Sequence, residues 1–150
     1  MDFLPKTEIV SSLPLQMSLY FNSFYSPVWV LIHVCTLYQK YPYLNITYKV
    51  ILTGLHGVAA CVELTRLIVG IRGNLLEKIP EVSGFLVMTA LQAAIAAILL
   101  LNAGTIHLPI EIAADLAQLA FIAVQLIAGL AAVRRIGKHQ LARFKQRVLD

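Results

Sequence analysis

Four apolar stretches constrain this chain more than any other feature. They fall at 17–38, 48–69, 82–101 and 113–133 and take up 85 of the 150 residues. Each is close to the ~20 residues that a helix needs to cross a bilayer. Two tails and three short loops remain, the longest of them 17 residues. Pieces of that size cannot build a separate soluble catalytic domain. Composition agrees: 59% of the chain is hydrophobic and 13% charged, against about 45–50% and about 25% in soluble domains. The expected fold class is therefore all-α. A single four-helix integral membrane domain fills residues 1–150, with short loops and a basic, amphipathic C-terminal tail over 134–150.

The four spans are not equivalent. The third and fourth are almost entirely Ala, Leu, Ile and Val, whereas the first is cleanly apolar only over 28–37. Gln16, Ser18, Asn22, Ser23 and Ser26 precede that run, and Pro27 is expected to kink it. A half-buried or interfacial first segment is the alternative. Orientation follows from Lys and Arg. Lys6, Arg66, Arg72, Lys78 and the tail fall on one side of a four-span topology, while Lys40 and Lys49 alone fall on the other. Both termini are thus expected in the cytosol. Tyr38, Tyr41, Tyr43 and Tyr48 surround the first outer loop, as an interfacial belt would. That loop also holds the glycosylation triplet Asn45-Ile46-Thr47, expected to go unused because the loop hugs the membrane. Cys35 and Cys61 lie in apolar runs and read as small packed hydrophobes. Residues 1–16 do not read as a cleavable signal peptide, since acidic Asp2 and Glu8 accompany Lys6 and no cleavage site follows.

No phosphate-binding glycine loop, HExxH, CxxC or GxSxG occurs, so the chain reads as a non-enzyme with no expected cofactor or metal. Polar residues within the spans carry what signal there is. Glu63 and Arg66, three apart, share a helix face and are expected to pair, with Arg66 snorkelling to the cytosolic end. Gln92 and Gln125 fall at similar depths, and Asp115, Gln118 and Gln125 share one face of the fourth span. Ala90, Ala93 and Ala97 on the third span, with Ala113, Ala117 and Ala120 on the fourth, permit close helix approach. They serve either packing within the chain or a partner's membrane helix. His33 and His56 fall five to seven residues below the outer surface. They read as buried, hydrogen-bonded neutral histidines, with a haem pair as the remote alternative.

The second loop, 70–81, has Gly70 and Gly73 for a tight exit. Asn74 and Glu77 are spaced as a capping box, Lys78 follows, and Pro80 is expected to end the short turn. Such a loop is a candidate docking surface. The tail holds Arg134, Arg135, Lys138, Arg143, Lys145 and Arg147 against Asp150, a net +5, with Leu141, Phe144 and Val148 at spacings of three and four. A basic amphipathic helix lying on an anionic leaflet is the direct reading. Nucleic acid is not an expected partner. A small transporter or channel built on Glu63, Asp115 and the glutamines is the rival reading, although the chain lacks the inverted repeats and broken helices that transporters use.

Several runs together carry a resemblance. They are Val10-Ser11-Ser12-Leu13-Pro14-Leu15-Gln16-Met17-Ser18-Leu19-Tyr20-Phe21-Asn22; Glu63-Leu64-Thr65-Arg66-Leu67; Gly70; Gly73-Asn74-Leu75-Leu76-Glu77-Lys78-Ile79-Pro80-Glu81; Leu108-Pro109-Ile110-Glu111; and Gln140-Leu141-Ala142-Arg143-Phe144. Across nearly all of 9–148 the chain resembles the transmembrane protein 17 family. The resemblance implies four membrane helices with cytosolic termini. It also implies a non-enzymatic place in the ciliary transition zone, within the tectonic-like (Meckel syndrome) complex that supports ciliogenesis and limits diffusion into the ciliary membrane. Transmembrane proteins 216 and 231 and the tectonics are the partners it implies, anionic lipid is the partner the tail suggests, and a homo-oligomer is compatible with both. The stretch before Val10 is shorter than in longer members of the family.

Overall fold

Helix periodicity decides which side chains this chain buries. The computed structural model describes residues 10–102 and 104–149. Four helices follow one another, α1 (Leu13–Lys40), α2 (Ile46–Leu75), α3 (Ile79–Leu101) and α4 (Pro109–Leu149), with a 3-10 turn at Tyr41–Tyr43 after α1. On each, buried positions recur at intervals of three and four. On α1 they are Leu15, Leu19, Asn22, Ser26, Trp29, His33 and Thr36; on α3 they are Val82, Phe85, Thr89, Gln92, Ile95 and Leu99. That spacing is the seam of a four-helix bundle. Each helix packs against two neighbours, so the order around the bundle is α1, α2, α3, α4.

The polarity of the bundle is inverted relative to a soluble one. Its outside carries Leu31, Val58, Leu64, Val87, Ile98 and Ile127, all exposed. Its inside carries Asn22, Glu63, Arg66, Gln92, Asp115, Gln118 and Gln125, all buried. Lipid removes the cost of the first arrangement, and internal hydrogen bonds offset the cost of the second. Three helices, α2, α3 and α4, are long and apolar enough to cross a membrane. The 28 residues of α1 give sufficient length, but its seam is too polar to meet the same standard. Pro27 sits inside α1 without ending it.

Two apolar cores bracket the polar layer. One, near the basic end of the bundle, gathers Leu15, Leu19, Leu67, Val82, Phe85, Ala132 and Ile136. The other, near the 3-10 turn, gathers Trp29, Leu52, Ala59, Ile95, Leu99 and Ala114.

The connection after α2 differs from the expected loop. Gly70, Gly73 and Asn74 belong to α2 itself, which runs to Leu75. The glycines admit α3 rather than releasing the chain. A Cβ on Gly70 would lie 2.7 Å from the Phe85 ring, and one on Gly73 would lie 2.9 Å from both Glu81 Cβ and the backbone nitrogen of Val82. Nor do Asn74 and Glu77 form a capping box. Lys78 N–H donates to Gly73 O (3.0 Å) and Glu77 N–H to Asn74 O (3.4 Å), which is a Schellman closure of α2. Glu77 takes the left-handed position at φ 53°, where glycine is usual. Pro80 lies in the first turn of α3, where its missing N–H costs nothing, so it starts a helix rather than ending a turn.

The tail also differs. α4 continues unbroken from Pro109 to Leu149, 41 residues or about 60 Å, with no break at 133. Its last buried side chain among those described is Ile136, so a basic extension leaves the bundle along the same helix instead of a separate one. The residues that follow, rich in Arg, Lys, Leu and Gln, favour continuation. Cys35 and Cys61 are exposed on the apolar exterior and not packed within the bundle. Lys6 and Asp150, counted in the charge argument, lie outside the described residues.

Candidate functional site

The central polar layer is built on one carboxylate. Glu63 Oε1 accepts from Arg66 Nη2 (2.7 Å) and Asn22 Nδ2 (3.2 Å), and Oε2 accepts from Arg66 Nε (2.8 Å) and Gln118 Nε2 (2.8 Å). Arg66 Nη1 donates onward to Gln125 Oε1. The expected Glu63–Arg66 pair therefore forms, bidentate, through side chains with no exposed surface. The expected snorkelling does not occur. Arg66 turns inward, because a planar donor fork there meets Glu63 and an amide of α4. Glu63 and Arg66 from α2, Gln118 and Gln125 from α4 and Asn22 from α1 make a bolt that crosses the bundle diagonally. Gln92 from α3 is buried at 0% exposure, yet both its amide atoms lack a partner among the described residues.

A second polar chain lies nearer the 3-10 turn. His56 Nδ1 faces Leu52 O (2.7 Å), His56 Nε2 faces His33 Nδ1 (3.2 Å), and His33 Nε2 faces Asp115 Oδ1 (3.0 Å). Trp29 Nε1 donates to the same Asp115 oxygen at 3.0 Å. His33 is thus buried and His56 half-buried, and each of the four ring nitrogens faces a polar atom at 3.2 Å or less. Beyond them Lys40 at the end of α1 pairs with Glu111 in the first turn of α4 (2.7 Å). Glu111 also accepts from the Leu108 N–H (3.1 Å), half of a capping box that fixes where α4 begins. A groove of ≈ 590 Å³ opens between α1 and α2, lined by Val30, Val34, Leu37, Tyr38 and Gly57 beside the two histidines. Its wall is mainly carbon, with Thr53, Tyr38 and Tyr41 as the hydroxyl-bearing side chains of the lining.

At the basic end Asn74 clasps the start of α1. Its Oδ1 accepts from Ser12 N–H (2.9 Å), and its Nδ2 donates to Ser12 O (2.9 Å) and Gln16 Oε1 (3.0 Å). Glu77 accepts from Val10 N–H (2.7 Å), and Gln140 on α4 donates to the Glu77 carbonyl (3.0 Å). Gly70, Gly73 and Asn74 are therefore spent inside the chain. Of the candidate docking residues, Lys78 and Pro80 are exposed and Glu77 is half-buried.

The alanines divide in a way that sequence spacing could not resolve. Ala59, Ala96, Ala114 and Ala132 do the internal packing. Ala90, Ala113 and Ala120 face outward, and Ala93, Ala97 and Ala117 are half-exposed. Arg134, Arg135, Lys138, Arg143, Lys145 and Arg147 are all exposed, as are Leu141, Phe144 and Val148. Sequence reasoning did not single out Asn22, Trp29, Thr36 or the Lys40–Glu111 pair as parts of a site. The signal was present in the 22, 26, 29, 33, 36, 40 spacing of α1, a polar stripe at helical period.

An apolar exterior closed around a hydrogen-bonded polar seam, with three helices able to span, defines a multi-pass helical membrane protein. The profile of the family described as "Predicted membrane protein", transmembrane protein 17, matches residues 17–122. Transmembrane protein 17 of Homo sapiens is 38% identical over 147 residues, covering 97% of this chain and 74% of the relative. That of Gallus gallus is 42% identical over 130 residues, covering 86% and 62%, and transmembrane protein 17B of Danio rerio is 38% identical over 141 residues, covering 93% and 74%. The chain belongs to the transmembrane protein 17 family. No solved structure matches it.

Proposed function

We propose that this chain is a non-enzymatic scaffold subunit of the tectonic-like complex in the ciliary transition zone, supporting ciliogenesis and the diffusion barrier that sets ciliary membrane composition. In this reading α1 spans the membrane with the other three helices, and the basic end of the bundle lies in the cytosol, as the Lys and Arg distribution requires. Family membership along nearly the whole chain supports it. The structural observation that carries it is the separation of inside from outside. The interior carboxylates and imidazoles are hydrogen-bonded within the chain, while the exterior presents mainly apolar and small-residue faces. Such a body offers surfaces to neighbouring helices rather than a chamber to a substrate. Glu63, on which a transport reading would depend, already accepts four hydrogen bonds.

Three surfaces do the work. The outward faces of α3 (Ala90, Ala93, Ala97) and α4 (Ala113, Ala117, Ala120) receive partner helices. The exposed corner at Lys78 and Pro80 meets cytosolic or neighbouring subunits. The basic extension of α4 contacts the anionic leaflet. Affinity purification of a tagged chain from ciliated cells, with mass spectrometry, tests the reading. Tectonics and transmembrane proteins 216 and 231 should co-purify, and Ala93→Leu/Ala97→Leu should reduce their recovery. Unchanged recovery would remove the alanine face from the account, and absence of these partners from the wild-type sample would remove the scaffold role.

A further inference from the structure

The hydrogen bonds around His33 count protons. Three contacts run in line from the Leu52 carbonyl through His56 and His33 to Asp115. Each must hold one hydrogen. The carbonyl has none to give, an ionised carboxylate has none either, and each neutral imidazole supplies one. Leu52 O therefore takes the Nδ1–H of His56, which leaves His56 Nε2 as an acceptor for the Nδ1–H of His33. His33 Nε2 is then a bare lone pair facing Asp115 Oδ1 at 3.0 Å. Two neutral rings and a carboxylate are one hydrogen short. Flipping either ring would put carbon against an acceptor and lose a bond, so ring orientation cannot supply it.

We infer that Asp115, His33 and His56 form a binding site for a single dissociable proton, shared between His33 Nε2 and Asp115 Oδ1, that ties α1 to α2 and α4. With the proton present all three contacts are made. When it leaves, two lone pairs face each other and His33 must release either Asp115 on α4 or His56 on α2.

The surroundings leave room beside the proton. A small cavity of ≈ 10 Å³, room for about one water, is lined by His33, His56 and Asp115 together with Lys40, Glu111 and His107. Lys40 from α1 and Glu111 from α4 neutralise one another there, His107 comes from the α3–α4 connection, and the α3 residue in the lining is apolar Leu99. Tyr25 of α1 also lies near Asp115, its hydroxyl donating to the Ala114 carbonyl (2.8 Å). The site sits in the half of the bundle away from the Glu63–Arg66 bolt and requires nothing of the proposed scaffold role.

Trp29, the single tryptophan, reports on the site directly. Its ring lies 4.5 Å from the His33 ring, and its N–H bonds to Asp115. Emission of the purified full chain in nanodiscs should change in one single-proton step across a pH titration. Asp115→Asn removes the charge that shares the proton, its amide meeting either the His33 lone pair or the Trp29 N–H at that one position but not both, and should abolish the step. His56→Leu frees His33 to turn its single N–H toward Asp115. The step should then move to lower pH by about one unit, the worth of one hydrogen bond. Flat wild-type emission, a step that survives Asp115→Asn, or an unmoved midpoint in His56→Leu would each overturn the assignment. Helical circular dichroism checks that each variant folds. If Asp115→Asn fails that check, the wild-type and His56→Leu arms decide.

Discussion

Arg66→Met removes the cation from the middle of the bundle while keeping most of its length and apolar stem. Three hydrogen bonds disappear, two to Glu63 and one to Gln125. Glu63 keeps only the neutral amides of Asn22 and Gln118, so a full negative charge stays buried without compensation. Breaking a buried pair in this way costs about 3–5 kcal/mol. Removing both charges should cost much less. In Glu63→Gln/Arg66→Met the new amide oxygen still accepts from Asn22 or Gln118, and no net charge remains. The double variant should recover about 2 kcal/mol or more of the sum of the single losses, within the coupling range of directly contacting groups. Unfolding in mixed micelles with increasing dodecyl sulfate, followed by Trp29 emission, measures all four corners of the cycle. A loss below about 1 kcal/mol for Arg66→Met, or losses that simply add, would refute the argument that Glu63 and Arg66 hold the helices together as one unit.

Gln92 gives the opposite expectation: its buried amide has no partner among the described residues, so Gln92→Leu should raise stability in the same assay, by about 1–3 kcal/mol, and a comparable loss would refute the idea that the amide is unspent. The glycines of α2 should separate by position. Gly54→Ala meets open space and should be neutral or stabilising by up to about 1 kcal/mol, whereas Gly73→Ala, driven against the α3 backbone at 2.9 Å, should lower the thermal midpoint, and equal effects would count against close α2–α3 approach. For the tail, replacing Arg143, Lys145 and Arg147 with Glu should remove at least about 3 kcal/mol of attraction to an anionic leaflet. Hydrogen exchange across 138–148 in nanodiscs should then lose its dependence on phosphatidylserine, and an unchanged dependence would place the contact elsewhere.

Much of the fold is written openly in the sequence. The spans of α3 and α4 stand out because Ala, Leu, Ile and Val repeat without interruption, and Glu63 with Arg66 is legible because a spacing of three is enough to make a pair. The seam of α1 keeps this helix from standing out as the others do, since Ser18, Asn22, Ser26 and His33 lower its hydropathy while fitting it to a polar interior. The second connection misleads for a physical reason. Glycine, asparagine and proline are normally read as breakers, yet Gly70 and Gly73 are there for what α3 needs, Asn74 for what the α1 backbone needs, and Pro80 for the first turn of a helix. Contacts such as Arg66 to Gln125 and His33 to Asp115 join helices across the bundle. Depth alone could align them, but only the order of the helices around the ring brings them within bonding distance.

The place of a tagged copy in ciliated cells tests the scaffold reading most directly. The account predicts a ring at the base of the cilium, between the basal body and the axoneme, coincident with tectonics. An even distribution over the plasma membrane, or retention in internal membranes of cells that build normal cilia when the chain is deleted, would contradict it.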